Sequence, residues 1–129
     1  MNTHKKVLMK FSGVCLITRD VASLALFYAQ VLDRAPDGDD THAEFNFGAA
    51  GLAIYSYHGT EDMAPGSTAG AGTGATTLIF EVQDIEAECA RIQAMGIALV
   101  KPLQTHPWGS TSFWFRDPDG NLIDFVKSS

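Results

Sequence analysis

An isolated carboxylate stands in the last strand-like segment of the chain. The stretch FRDPDGNLIDFV, residues 115–126, carries Asp124 in an alternating run behind the charged turn Arg116–Asn121. A carboxylate in that setting can ligate a metal ion, bind a polar group of a ligand, or remain solvated. The residues beside it in sequence leave all three roles open.

A second group of ionisable side chains lies in the first half of the chain. His42 and Glu44 are two residues apart and share one face if the segment is a regular strand, and Asp39 and Asp40 lie close by. The group indicates either a relocated divalent-metal site or an acidic, solvated loop beside an edge strand. Divalent first-row metals bind three or four His, Cys or carboxylate groups together, so the pattern alone does not define a site.

An aromatic loop precedes the final strands. His106 and Trp108 flank Pro107 in a loop that also contains Gly109. A histidine can act as an acid or base near neutral pH, or it can be an ordinary loop side chain. An exposed tryptophan on such a loop is unusual, so we expect Trp108 to be a lid or interface residue, or else a local packing anchor.

Nucleophilic catalysis finds little support in the sequence. There is no GxSxG elbow. Cys15 has no base beside it, and neither Cys15 nor Cys89 belongs to a CxxC pair. We expect both to be buried free thiols.

Length and charge limit the class of protein. The 129 residues favour a single domain, residues 1–129. The net charge of -6 repels phosphate backbones and anionic membrane surfaces, so we expect neither nucleic acid nor membrane as a partner. The start of the chain does not resemble a signal peptide, and no apolar run reaches the ~20 residues that span a bilayer. These features predict a soluble, cytoplasmic protein.

The same order of elements is predicted twice along the chain. Strand and helix patterns follow one another as β-α-β-β-β in each half, with Asp20 and Asp84 as helix N-caps. The first unit spans residues 11–58 and the second spans residues 76–127. A Gly-rich stretch between them, residues 59–75, is predicted to be a flexible linker that could fold over a ligand as a lid. Duplication of a unit this size is a strong organisational signal.

The chain resembles the vicinal oxygen chelate superfamily, which includes glyoxalase I, extradiol dioxygenases and the fosfomycin- and bleomycin-resistance proteins. The resemblance covers residues 11–127 and rests on the duplicated unit, on FYAQVLD at residues 27–33, and above all on FRDPDGNLIDFV. Pro107-Trp108-Gly109 is most similar to the bleomycin-resistance branch. The resemblance implies an α+β fold in which each βαβββ module forms a half-barrel and the two modules line a cleft. Because many members dimerise, it also implies a homodimer.

The resemblance further implies where a metal ion would be held. The four ligand positions of metal-dependent members fall on Gly13, Ile54, Thr77 and Asp124. Glycine and isoleucine side chains have no electron pairs to donate, and threonine is a poor ligand. Asp124 alone is a credible ligand, so we expect no metal cofactor at these positions.

The resemblance also implies which residues face the cleft. Aromatic, aliphatic and polar side chains are mixed there, as is typical of small-molecule sites. The candidate ligand-binding residues are Trp114, Asp124, Ser112, Trp108, Glu44, Asn46, Ile54 and His106. An indole can stack on a planar or cationic ligand. Asp124 and Glu44 favour a ligand that is cationic or rich in hydrogen-bond donors.

Three functions follow from this pattern. The first is metal-free binding of a small aromatic or cationic molecule by a homodimer. The second is an enzyme of the lyase, isomerase or dioxygenase type, using either a relocated metal or an acid or base among Asp124, Glu44 and His106. The third is a vestigial cleft on a protein that acts as an interaction module. Chelation and Asp124→Asn would abolish turnover only under the second.

Overall fold

The computed structural model describes residues 9–72 and 74–129, which form eight strands and three helices. In chain order these are β1 (Gly13–Thr18), α1 (Val21–Val31), β2 (Asp37–Gly38), β3 (His42–Asn46), β4 (Gly51–Ser56), α2 (Tyr57–Met63), β5 (Thr77–Glu81), α3 (Ile85–Ala94), β6 (Leu99–Thr105), β7 (Thr111–Arg116) and β8 (Leu122–Lys127). No helix in these ranges is both long and apolar enough to cross a membrane.

Two four-stranded sheets repeat one topology. The strand order is β1-β4-β3-β2 in the first sheet and β5-β8-β7-β6 in the second. In each sheet the first strand pairs in parallel with the last one, and the remaining pairs are antiparallel. The predicted α+β duplication is therefore confirmed.

The two main helices begin where the sequence predicts. The Asp20 carboxylate accepts a hydrogen bond from Ser23 N at 3.0 Å, and Asp84 accepts one from Ala87 N at 3.1 Å. Each aspartate thereby satisfies one of the backbone N–H groups that a helix start leaves without a partner. Both helices then pack their apolar sides over one face of the sheets.

The apolar core joins the two units. It lies on one face of each sheet, because alternate strand residues point to opposite faces. The largest fully buried side chains are Tyr28, Phe45, Phe113, Phe115, Phe125, Leu24, Ile54, Ile85, Ile92 and Ile123. The opposite face of each sheet is left for other contacts.

Two polar contacts lock the units together. The Tyr28 hydroxyl, on α1, donates to Asp117 Oδ2 at 2.7 Å in the turn between β7 and β8. Arg91, on α3, donates to the carbonyl oxygens of Gln30 at 3.0 Å and Val31 at 2.7 Å, at the end of α1. A lysine or arginine there satisfies helix carbonyls that would otherwise lack partners. The DPDG turn thus serves the packing of the two halves.

Two expectations differ from the structure. Helix α2 extends into the segment predicted to be a linker, and the start of this helix is capped by the Ser56 hydroxyl, which accepts from Gly59 N at 2.9 Å. Glu61 then fastens the following turns by accepting from the Thr68 hydroxyl at 2.5 Å. Cys15 is exposed, because it points away from the core face that its neighbour Leu16 enters, whereas Cys89 is buried as expected.

Candidate functional site

A row of four side chains crosses the face of the second sheet that points away from the core. Asp124 on β8 pairs with Ile79 on β5 and with Trp114 on β7, and Trp114 pairs in turn with Lys101 on β6. Residues on either side of Asp124 and Trp114, such as Ile123 and Phe113, are fully buried on the other face. We call this row, together with Ser112 and His106, the Trp114 face.

Asp124 is held in an incompletely solvated position. Its Oδ1 atom and the Trp114 Nε1 atom are both buried, and neither makes a hydrogen bond of normal geometry. Burial raises the pKa of Asp124, while the nearby Trp114 N–H and the charges of Lys101 and His106 act in the opposite direction. A buried acceptor without a partner is costly, so the charge of this carboxylate is incompletely compensated.

Lys101 brings an ammonium group to the same face. Its Nζ lies 5.7 Å from the centre of the Trp114 ring, within the range of a cation–π contact. Nζ donates to Ser112 O at 2.9 Å, to Ser112 Oγ at 3.1 Å and to Pro102 O at 3.3 Å. Burial lowers the pKa of Lys101, and Asp124 opposes that shift.

His106 connects the loop to this cluster. His106 Nε2 lies 3.0 Å from Ser112 Oγ, so the buried Ser112 hydroxyl is shared by Lys101 and His106. The imidazole also stacks on Trp108 with ring centres 4.6 Å apart and planes 6° apart. Trp108 is 73% exposed, yet its Nε1 donates to Ser110 Oγ at 2.8 Å. The Trp108 indole is therefore held by a hydrogen bond and a stacking contact, and it faces outward beside the Trp114 face.

The structure brings together five of the predicted site residues. Trp114, Asp124, Ser112, His106 and Trp108 form one continuous group on and beside β7. Lys101 belongs to the same group, although sequence reasoning missed it.

Three predicted residues lie in the other sheet. Glu44 and Asn46 are exposed on β3, and they line a different cavity of about 240 Å³ with Lys10 and Asp37. Asn46 also closes its own turn, because its side-chain oxygen accepts from Gly48 N at 2.7 Å. Neither residue is joined to Trp114 by a hydrogen bond or ion pair among the described residues.

The placement of Ile54 in the cleft is wrong. Its side chain is fully buried in the core. Ile54 pairs with Leu16 and Ala43, both buried, so it shares their face. Ala53 instead lies opposite Cys15 and Glu44 on the outward face. A shift of one residue along a strand exchanges the two faces, which explains the error.

Comparisons with known proteins define the family. The model of the Glyoxalase/Bleomycin resistance protein/Dioxygenase superfamily matches residues 10–125, so this chain belongs to that superfamily. No curated protein gives a significant match.

Solved structures share the fold of this chain. A protein of unknown function from Agrobacterium tumefaciens is 27% identical, with a TM-score of 0.78 over 94% of this chain and 95% of that one. A glyoxalase/bleomycin resistance protein/dioxygenase from Nocardioides is 20% identical, with a TM-score of 0.78 over 96% and 86%. A virulence protein from Salmonella typhimurium is 23% identical, with a TM-score of 0.75 over 95% and 99%. The last two similarities concern the fold alone.

The residues at the metal positions implied by the resemblance do not fit a metal ion. Gly13 has φ +156°, and a Cβ atom placed there would lie 2.2 Å from the Gly51 oxygen, so that position of β1 is closed to a ligating side chain. The outward residue of β4 is Ala53, which has no donor atom. Among residues 9–72 and 74–129, no three His, Cys, Asp or Glu side chains come together in a group that could hold a metal, so His42 and Glu44 gain no partner there.

Proposed function

We propose that this protein binds a small planar, aromatic molecule on the Trp114 face, without a metal ion. The observation that carries the proposal is the row Asp124–Trp114–Lys101, in which a half-buried indole lies between a carboxylate and an ammonium group. An indole offers a large apolar surface for stacking, and the flanking charges can fix the orientation of a bound ring. Superfamily membership supports the proposal without specifying a ligand.

The contact to Asp124 favours a ligand that carries a hydrogen-bond donor. Asp124 accepts no hydrogen bond of normal geometry, and its Oδ1 is enclosed beside the Trp114 N–H. Oδ2 is not among the enclosed, unpartnered atoms, so a ligand donor would meet the carboxylate at that oxygen. A cationic or N–H donor there would stabilise the ionised carboxylate and bring its pKa down.

Stacking can be tested on a protein with a single tryptophan. The chain contains two, so Trp108→Phe leaves Trp114 as the only indole reporter. A panel of planar compounds, with and without an amine, is titrated while Trp114 fluorescence is followed. We expect quenching by the compounds that bind, and a rise in melting temperature at saturating concentration.

The matched control is Trp114→Leu in the protein that retains Trp108. Binding measured by calorimetry should weaken at least about tenfold, equivalent to ~1.4 kcal/mol. Neither EDTA nor added Zn²⁺, Ni²⁺, Mn²⁺ or Fe²⁺ should change the affinity or the melting temperature. Metal-dependent binding, or binding that survives Trp114→Leu, would contradict the proposal.

A catalytic role for Asp124 is the second candidate. Burial raises the pKa of Asp124 above its usual value, which is the direction that favours proton uptake by a carboxylate, and His106 and Lys101 lie in the same cluster. An enzyme would convert its bound compound, and Asp124→Asn would abolish that turnover. A protein that only binds would show no turnover with or without Asp124. Product analysis of the bound compounds separates these two outcomes.

We also infer that two copies of the chain associate. Apolar side chains border a groove of about 700 Å³ between β1 and β5, and both strands are edge strands of their sheets. Phe11 is 71% exposed and Ile79 68% exposed there. Light scattering should give twice the mass of one chain, and Ile79→Asp should shift the population toward a single chain.

A further inference from the structure

We propose that the ligand of the Trp114 face is amphoteric: a planar ring whose basic end meets Asp124 and whose acidic end meets Lys101. This inference rests on the proposed function, since it assigns the chemistry of the ligand for the same site. It replaces a purely cationic ligand by one with a charge at each end. Three features carry it.

The first feature is the order of the groups across the sheet. Asp124, Trp114 and Lys101 stand side by side on β8, β7 and β6. Neighbouring strands are about 4.8 Å apart, so the backbones that carry the two charges are about 10 Å apart with the indole between them. A single ring with substituents at opposite ends can lie over Trp114 and reach both.

The second feature is that the two charges do not neutralise each other by direct contact. Among the described residues the close ion pairs are His58–Asp62 and Arg91–Glu88, and Lys101 and Asp124 form none. The oxygens that accept from Lys101 belong to carbonyl and hydroxyl groups and carry no charge. The longest of these contacts, to Pro102 O, is exposed, and a ligand carboxylate is a stronger acceptor that can replace it.

The third feature is the distribution of the outer charges on the same face. Glu81, on β5, is paired with Val126 on β8, and Val126 is paired in turn with Ser112 on β7. Glu81 therefore lies on the β5 side of the strand that carries Asp124. Arg116, on β7, lies on the other side of Asp124 and donates to Gly120 O. Acidic side chains thus occupy the β5–β8 side and basic ones the β7–β6 side. A ligand with one charge would be attracted at one end and repelled at the other.

Burial acts on both charged groups in the direction that this arrangement requires. It raises the pKa of Asp124 and lowers the pKa of Lys101, so the charged form of each is disfavoured without a partner. An amphoteric ligand supplies the opposite charge to each group at once. A ligand that carries only an amine or only an acid leaves one of them uncompensated.

Three small probes that share one ring test the inference. They are 4-(aminomethyl)benzoate, which has both charges, 4-methylbenzylamine, which has only the base, and 4-methylbenzoate, which has only the acid. Each is titrated into ¹⁵N-labelled protein, and the two indole N–H signals are followed, with Trp108→Phe assigning them. We expect 4-(aminomethyl)benzoate to shift the Trp114 signal with an affinity at least about tenfold above either single-charge probe.

Two variants assign the ends of the probe. Lys101→Met should lower the affinity for 4-(aminomethyl)benzoate to that for the amine, and Asp124→Asn should lower it to that for the acid. Lys127→Met, at the exposed end of β8, is the matched control and should leave the preference unchanged.

The outcomes separate the two proposals. If the amine or the acid shifts Trp114 as strongly as the amphoteric probe does, or if Lys101→Met preserves the preference, the amphoteric assignment is overturned while stacking on Trp114 stands. If none of the three probes shifts Trp114 at millimolar concentration, the aromatic site itself is overturned, and the amphoteric assignment with it.

Discussion

Two aspartates of one hairpin, Asp117 and Asp124, have opposite environments. Asp117 is 4% exposed, and its carboxylate accepts from the Tyr28 hydroxyl, the backbone N–H groups of Asp119 and Asn121, and the Asn121 side chain. Asp124 is less buried but accepts no hydrogen bond of normal geometry. A carboxylate whose oxygens are all used holds the fold together, whereas one with free capacity can serve a ligand.

We expect the largest loss of stability from substitution of Asp117. Asp117→Ala would leave a buried tyrosine hydroxyl and two backbone N–H groups without their acceptor. We expect the free energy of unfolding to fall by about 3–5 kcal/mol, because several donors lose their partner at once. Urea denaturation measures this loss, and Asp119→Ala, an exposed neighbour, should change it by no more than about 0.5 kcal/mol. A loss below about 1 kcal/mol at Asp117 would show that the turn is not a structural lock.

The lock between the two units was not predictable from the sequence. The DPDG turn itself was, since Asp, Pro and Gly occupy their preferred turn positions. Its partner Tyr28 lies 89 residues earlier. The helical pattern of α1 predicts that Tyr28 is in the core, but nothing local indicates which polar group meets its hydroxyl.

The position of Lys101 on the outward face was not predictable from the sequence for a different reason. Leu99 pairs with Phe115 on the core face, whereas Lys101 pairs with Trp114 on the outward face, because the register of β6 shifts between them. Regular alternation would put Leu99 and Lys101 on one face, so an apolar Leu99 would argue against Lys101 as a site residue. A β-bulge re-aims a side chain in this way, and the sequence carries no local signal for it. Trp114 and Asp124 lie in regularly paired strands, where their sequence neighbours Phe113 and Ile123 fill the core face.

Tyr28 accounts for one part of the stability that Asp117 provides. Tyr28→Phe removes one donor to Asp117 Oδ2 and leaves that oxygen with the Asn121 side chain. We expect a loss of about 1–2 kcal/mol, in the range of one buried hydrogen bond to a charged group. Tyr55→Phe is the matched control, because the Tyr55 hydroxyl makes no hydrogen bond to another described residue, and its effect should stay within about 0.5 kcal/mol.

A double-mutant cycle tests whether Tyr28 and Asp117 stabilise the protein through their shared hydrogen bond. In a double variant with Asp117→Ala, Tyr28→Phe should cost much less than it does alone, since the two groups share one interaction. Equal costs in the presence and absence of Asp117 would mean that the tyrosine effect comes from packing.

The smallest stability effect is expected at Asp124, and its sign should be opposite. Asp124→Asn removes a charge that burial disfavours, so the variant should be as stable as the parent at pH 7, or more stable by less than about 1 kcal/mol, since solvent screens a half-buried group. Binding of a ligand that needs the carboxylate should weaken in the same variant. At Asp124 we therefore expect weaker binding without a loss of stability, whereas at Asp117 we expect mainly a loss of stability.

The pH dependence of stability is a second test of whether Asp124→Asn stabilises or destabilises the protein. Because the pKa of Asp124 is raised in the folded state, the folded protein takes up this proton before the unfolded chain does as the pH falls. The stability advantage of Asp124→Asn should be greatest near neutral pH, shrink as the pH falls through the folded pKa, and vanish below the unfolded value of about 3.9. Urea denaturation of both proteins between pH 3 and pH 7, with Asp119→Asn as a baseline, measures that difference directly. An advantage that grows on acidification would mean that Asp124 is stabilised in its charged form, as a structural acid is, and the contrast with Asp117 would be lost.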